Sequence, residues 1–179
     1  MSGIQAMSQT TRKFDIDVQL IGRLIITFFR LLLGAWMIVS GWNHVGPLLG
    51  FPYVFPQPLG NLHLSNVMMV SLIEVGLFDL VKIVEVIAGL CLVFNRFVPL
   101  AVAVSLPVSY MVFHNSIVLN LRYERLFSTY MSVWCLYMNV ILCVAYFKYF
   151  VPLLTFKAPM GEVSDLKRVQ EIFQNDEAH

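Results

Sequence analysis

Long apolar runs separated by short polar breaks dominate the chain, and their lengths predict membrane-crossing helices. A hydrocarbon core of about 30 Å takes roughly 20 helical residues to cross. Four stretches meet that requirement, at about residues 21–43, 67–95, 97–119 and 128–154. Residues 1–20 are polar and read as an N-terminal tail. The connection between the first two spans carries Pro47, Pro52, Pro56 and Pro58 beside Phe51, Tyr53 and Phe55. Proline has no backbone N–H and fixes φ, so residues 45–64 are expected to leave the helical conformation and form a Pro-rich external lid over the bundle mouth. Little more than Asn95 and Arg96 separates the second and third spans, which predicts an antiparallel hairpin. Residues 157–179 mix Glu162, Lys167, Arg168 and Glu171 with Val163, Leu166, Val169 and Phe173, the pattern of an amphipathic C-terminal tail. The expected fold is all-α: an integral membrane four-helix bundle over residues 21–156.

Composition supports this reading and narrows the partners. Of 179 residues, 58% are hydrophobic and 13% charged, whereas soluble domains run near ~45–50% apolar and ~25% charged. The formal net charge of +1 provides no field to recruit nucleic acid. Counting Lys and Arg in the short segments gives Arg12, Lys13, Arg23, Arg96, Lys148, Lys157, Lys167 and Arg168 on one side and Arg122 and Arg125 on the other. The basic excess places both termini in the cytoplasm. Cys91, Cys135 and Cys143 all lie in apolar runs and are read as packing residues, neither a disulfide framework nor a zinc site.

Charges inside the spans carry the candidate chemistry. A charge at mid-bilayer costs at least ~2.5 to 3.5 kcal/mol, so a spanning helix retains one only with a partner or a task. Arg30 lies in the first span, and Glu74, Asp79, Lys82 and Glu85 lie in the second. At about 100° per residue, Glu85 falls about 20° from Glu74 around the axis of the second span, Lys82 about 80° and Asp79 about 140°. The opposite face (Val70, Leu77, Val81, Val84, Leu92) is apolar and expected to meet lipid. In the first span Arg23, Arg30, Met37 and His44 follow one line, with Gly34 and Gly41 beside it, where glycine lets another helix approach. Taking Arg23 and Arg96 as interface markers puts Arg30 about 10 Å and Glu85 about 16 Å above them. That predicts an Arg30–Glu85 ion pair, with Lys82 bridging Asp79 and Glu85. The cluster is either a neutral lock that fixes helix register or the wall of a polar cavity.

His44, His63 and His114 are expected near the outer surface, within reach of Asn43, Asn115 and Glu74. Such a group suits a headgroup site, where a neutral imidazole beside a carboxylate hydrogen-bonds a quinone carbonyl. The histidines lack metal-ligand spacing, and no metal is assigned. In the third span Ser105, Pro107 and Ser109 mark an inward kink, and in the fourth Cys135, Asn139 and Cys143 share one face, with Asn139 as an interhelical hydrogen-bonding residue.

Arg30, Gly34, Gly41 and His44 read R-x3-G-x6-G-x2-H, and the second span continues with Glu85-x3-Gly89, then Asn95-Arg96 and FVPLAVAV. This arrangement, over about residues 24–112, resembles the DoxX family of small four-helix membrane proteins. Their first helix carries an arginine, two glycines and then a lysine, where this chain has His44. The resemblance implies a multi-pass protein of the bacterial or archaeal cytoplasmic (inner) membrane. It also implies a redox system, since relatives include a subunit of a thiosulfate:quinone oxidoreductase. Under that reading His44, Glu74, Asp79, Lys82 and His114 line a ligand site in the outer half of the bundle, for a quinone or similar amphipathic molecule. Arg30 and Glu85 set the architecture, and the partners are the bilayer and a redox protein. The alternative is a non-catalytic membrane anchor or assembly factor. A transporter is disfavoured because one bundle without a repeat offers little machinery for alternating access.

Overall fold

The computed structural model describes residues 2–54 and 63–154, with side chains from residue 19 onward. The described residues are helical and contain no strand. In the unit that ends at Phe147 the main helices are α1 (Ser2–Leu48), α2 (Leu64–Glu74), α3 (Leu77–Val93), α4 (Val98–Phe113) and α5 (Met131–Ala145). Helix α1 packs against α3 and α5, and α4 packs against the same two helices, which closes a ring. Inside it lie Leu33, Met37, Leu92, Val102, Met138 and Leu142.

The outward surface of these helices is apolar: Leu24, Ile87, Leu100 and Val144 are each more than half exposed. Two helical stretches, Gln19–Leu48 and Val98–Val118, are long and apolar enough to cross a membrane, and Met131–Ala145 becomes a third if read as one span with Phe147–Leu154. These are the helices of a membrane protein. Helix α3, at 17 residues, rises about 25 Å, short of a ~30 Å core, and carries three charges.

Three element boundaries differ from the sequence pattern, each for a local reason. Helix α1 runs through Gly46 and Pro47 to Leu48 instead of stopping near residue 43. A proline near a helix end keeps a helical φ and deprives only the carbonyl four residues back of its donor. Gly50 at φ 88° then turns the chain, and Phe51 N–H bonds back to the Gly46 carbonyl. The chain beyond folds onto α1: Val54 N–H donates to Asn43 Oδ1 at 2.7 Å, and the Phe51 ring lies 5.5 Å from that of Trp42. The expected lid over residues 45–64 extends past residue 54 and lies partly outside the described residues, and the expected tail at 157–179 lies wholly outside them.

The second span is not continuous. Helix α2 ends at Glu74, Gly76 takes φ 72°, and α3 restarts at Leu77 with Asp79 in its first turn. Glycine adopts the left-handed conformation at no steric cost, and an acid in the first turn faces the positive end of the new helix dipole. The third difference follows α4, where Val98–Phe113 passes into one π-helical turn, His114–Val118, with Leu119 N–H bonded to the His114 carbonyl.

Helices α3 and α4 are joined by a tight turn in which Asn95 (φ 57°) and Phe97 (φ 51°) are left-handed. Arg96 N–H reaches back to the Cys91 carbonyl, a helix-end closure that needs a left-handed residue just before it, a role asparagine tolerates. A separate unit starts at Lys148. Its described part continues to Leu154, with the Lys148 ammonium over the Tyr149 ring at 4.7 Å.

Candidate functional site

Glycine sets how α1 meets α3. A Cβ on Gly34 would stand 2.9 Å from the Gly89 carbonyl oxygen, and one on Gly89 would stand 2.7 Å from the Gly34 oxygen. A Cβ on Gly41 would meet the Lys82 oxygen at 2.8 Å. These approaches fix an antiparallel register. Seven residues up α1, from Gly34 to Gly41, correspond to seven down α3, from Gly89 to Lys82, and three more on each helix set His44 beside Asp79.

At that level His44 Nε2 donates to Asp79 Oδ1 at 2.6 Å. The imidazole is largely enclosed and the carboxylate half-exposed, with side-chain exposures of 14% and 48%. A carboxylate only accepts, so Nε2 holds the proton, and in the neutral ring Nδ1 is then the basic nitrogen. Phe78 supports the pair: its ring meets the His44 ring edge-on, centroids 4.7 Å apart.

One turn deeper, the buried Lys82 ammonium donates to Glu85 Oε2 at 2.8 Å and to Ser40 Oγ at 3.0 Å, and lies 5.2 Å from the centre of the Phe78 ring. An ammonium has three donors, and here they meet a carboxylate, a hydroxyl and an aromatic face. The i,i+3 spacing on one helix lets Lys82 and Glu85 neutralise each other before α1 contributes anything. On the far wall Asn139 Nδ2 on α5 donates to Ser105 Oγ at 2.8 Å and to Ser109 Oγ at 3.0 Å on α4. This is the interhelical role that its spacing predicts. Between the walls lies a cavity of about 30 Å³ lined by Ser40, Glu85, Ser109, Cys135 and apolar side chains.

The expected Arg30–Glu85 pair is not what the structure has. Glu85 pairs with Lys82, and Arg30 donates from Nη1 to Asn95 Oδ1. The α1–α3 register explains it: Arg30, four residues before Gly34, is level with the end of α3. Glu85 is level with Ile38, about 12 Å further along α1. Treating Arg23 and Arg96 as equal in depth shifted the helices by about one turn. The expected bridge from Lys82 to Asp79 is likewise replaced, since Asp79 is taken by His44.

Of the other sequence candidates, Glu74 is exposed as the last residue of α2, because the turn at Gly76 separates it from the stripe of Phe78, Lys82, Glu85 and Gly89. His114 opens the π-helical turn with its ring 6.0 Å from Tyr110. His63 caps α2 through Ser65. Leu92, assigned to the lipid face, is fully buried because it continues the inward line from Glu85 and Gly89. Sequence reasoning did not pick out Ser40, which precedes Gly41 on the packed face, or Asn95 as the arginine's acceptor. Among the described residues no three His, Cys, Asp or Glu side chains come together as a metal site.

No family model, curated protein or solved structure matches this chain.

Proposed function

We propose that the protein is a DoxX-like subunit of a redox system in the bacterial or archaeal inner membrane. In this reading α1, α2 with α3, α4 and α5 with its continuation cross the bilayer as four spans, both termini are cytoplasmic, and the Pro-rich connection covers the outer mouth. The ligand is an amphipathic molecule of the quinone type, held in its reduced, quinol form. It binds at the mouth between α1 and α3, its headgroup meeting His44 and Asp79.

The observation that carries this is the His44–Asp79 pair, a nearly enclosed imidazole held at 2.6 Å by a half-exposed carboxylate. Fixing one ring nitrogen defines the other as an acceptor for a quinol O–H, the arrangement by which a carboxylate orients a functional histidine. Lys82 lies beneath as the nearest positive charge on the same face of α3. The polar face therefore grades from half-exposed to buried, which a purely structural lock does not require.

The test is binding of a short-chain benzohydroquinone, whose O–H groups can donate to Nδ1, to the protein in lipid nanodiscs under reducing conditions, followed by saturation-transfer NMR. Saturable binding that weakens tenfold or more in His44→Phe and in Asp79→Asn, and holds in Glu74→Gln, supports the reading. Equal binding by all four proteins, or none by the wild type, defeats it.

A second reading, a non-catalytic membrane anchor or assembly factor, is favoured by the size of the inner cavity. At about 30 Å³ it is far smaller than the ~150 Å³ cavity that holds a benzene ring. A companion chain that co-purifies in mild detergent, and stays bound to both the His44→Phe and Asp79→Asn variants, would select this reading.

A further inference from the structure

We propose that the partly open cavity between α1, α3, α4 and α5 is a binding site for one or two water molecules that join the Lys82–Glu85–Ser40 group and the Asn139–Ser105–Ser109 group into one network. The inference concerns the floor of the bundle and does not depend on the quinone reading.

Volume and chemistry point the same way. A cavity needs roughly 10–15 Å³ of this kind of space per water, and the water needs two to four polar partners. The cavity has about 30 Å³, with Ser40, Glu85, Ser109 and Cys135 on its wall. Ser40 Oγ already accepts from Lys82, and Ser109 Oγ already accepts from Asn139. Each hydroxyl keeps a proton to donate inward, while Glu85, with Oε2 held by Lys82, is a carboxylate that only accepts. A water that accepts from the serines and donates to Glu85 satisfies all three.

An independent observation comes from the neighbouring residue. Asn139 is fully buried, and its Oδ1 has no hydrogen-bond partner among the described residues. An orphaned buried amide oxygen costs about 1–3 kcal/mol, so this part of the core is short of a donor. A dry cavity would be expected to have an apolar wall, as genuinely empty cavities do.

Cys135 supplies the readout, because its thiol lines the cavity. The S–H stretch is followed by infrared spectroscopy on the protein in nanodiscs after transfer to D2O, in a Cys91→Ala/Cys143→Ala background. If that background fails to fold, the wild-type bands are assigned instead with Cys135→Ser. Conversion of Cys135 S–H to S–D within minutes, slowed at least tenfold by Val112→Leu or Val108→Phe, which take up the space, supports a resident, exchanging water. A Cys135 band that persists for as long as the slowest backbone amides overturns the proposal. Equally fast exchange in a folded, space-filled variant also overturns it, since the proton would then leave by opening of the bundle.

Discussion

Replacing Gly34 by alanine tests the register on which the site depends. The added Cβ would lie 2.9 Å from the Gly89 carbonyl oxygen and 3.0 Å from both Leu92 Cβ and Val93 Cγ2. Ordinary contact begins near 3.4 Å, so α1 and α3 must separate by about half an ångström, or the oxygen must leave its helical position. Overpacking of this kind costs typically ~1–3 kcal/mol. Opposing it, alanine favours a helix over glycine by about 1 kcal/mol. Gly22 provides the control on the same helix, because a Cβ there meets nothing within 4 Å. Gly22→Ala should therefore be neutral to stabilising, and Gly34→Ala should fall below it by about 1–3 kcal/mol. At roughly 2–4 °C per kcal/mol for a chain of this size, the two melting temperatures should differ by several degrees. Thermal unfolding in detergent, read by size-exclusion chromatography of the heated protein, measures that gap. Gly34→Ala/Gly89→Ala should cost less than the two singles added together, because both methyl groups widen one gap. Equal stability of Gly34→Ala and Gly22→Ala would refute the close approach and the register derived from it.

Four further outcomes follow from the same contacts. Lys82→Met should destabilise by about 3–5 kcal/mol because it strands a buried carboxylate, while Lys82→Met/Glu85→Leu should recover most of the loss, both measured by denaturant titration in micelles. Asn95→Gly should lower stability by about 0.5–1.5 kcal/mol through loss of the Arg30 acceptor alone, whereas Asn95→Val should add about 1–2 kcal/mol for a left-handed β-branched residue. Asn139→Leu should cost no more than about 2 kcal/mol, the upper range for an interhelical hydrogen bond in a membrane; a greater loss would mean that Asn139 supports more than Ser105 and Ser109. Gly76→Ala, at φ 72°, should destabilise by about 1–2 kcal/mol although it touches nothing, and an unchanged melting temperature would count against the break between α2 and α3.

The two polar groups between α1 and α3 differ in what they offer function. Lys82 and Glu85 neutralise each other, with Ser40 and Phe78 against the ammonium, and their contribution is to orient α1 against α3. His44 and Asp79 lie one turn nearer the helix ends, with the carboxylate half-exposed, and so are the pair a ligand can reach without opening the core. A substitution that disturbs binding but not folding is accordingly expected at His44 or Asp79, and one that disturbs both at Lys82 or Glu85.

The sequence by itself determined the helices, their apolar outer faces and the inward stripe of Phe78, Lys82, Glu85 and Gly89, because run length and a 3.6-residue period are local properties of the chain. It also held the signal for the break at Gly76, a glycine just past one helix and an acid in the first turn of the next, which a continuous apolar run obscured. Partners across helices were decided only in three dimensions. Whether Arg30 meets Glu85 or Asn95 depends on axial register, and one turn of slippage, about 5.4 Å, is enough to exchange them. That register is set by how closely the Gly34, Gly41 and Gly89 backbones approach the facing helix, and by the left-handed turn at Asn95. The cavity's volume is likewise what remains after four helices settle at distances fixed by their smallest side chains, and no single helix encodes it.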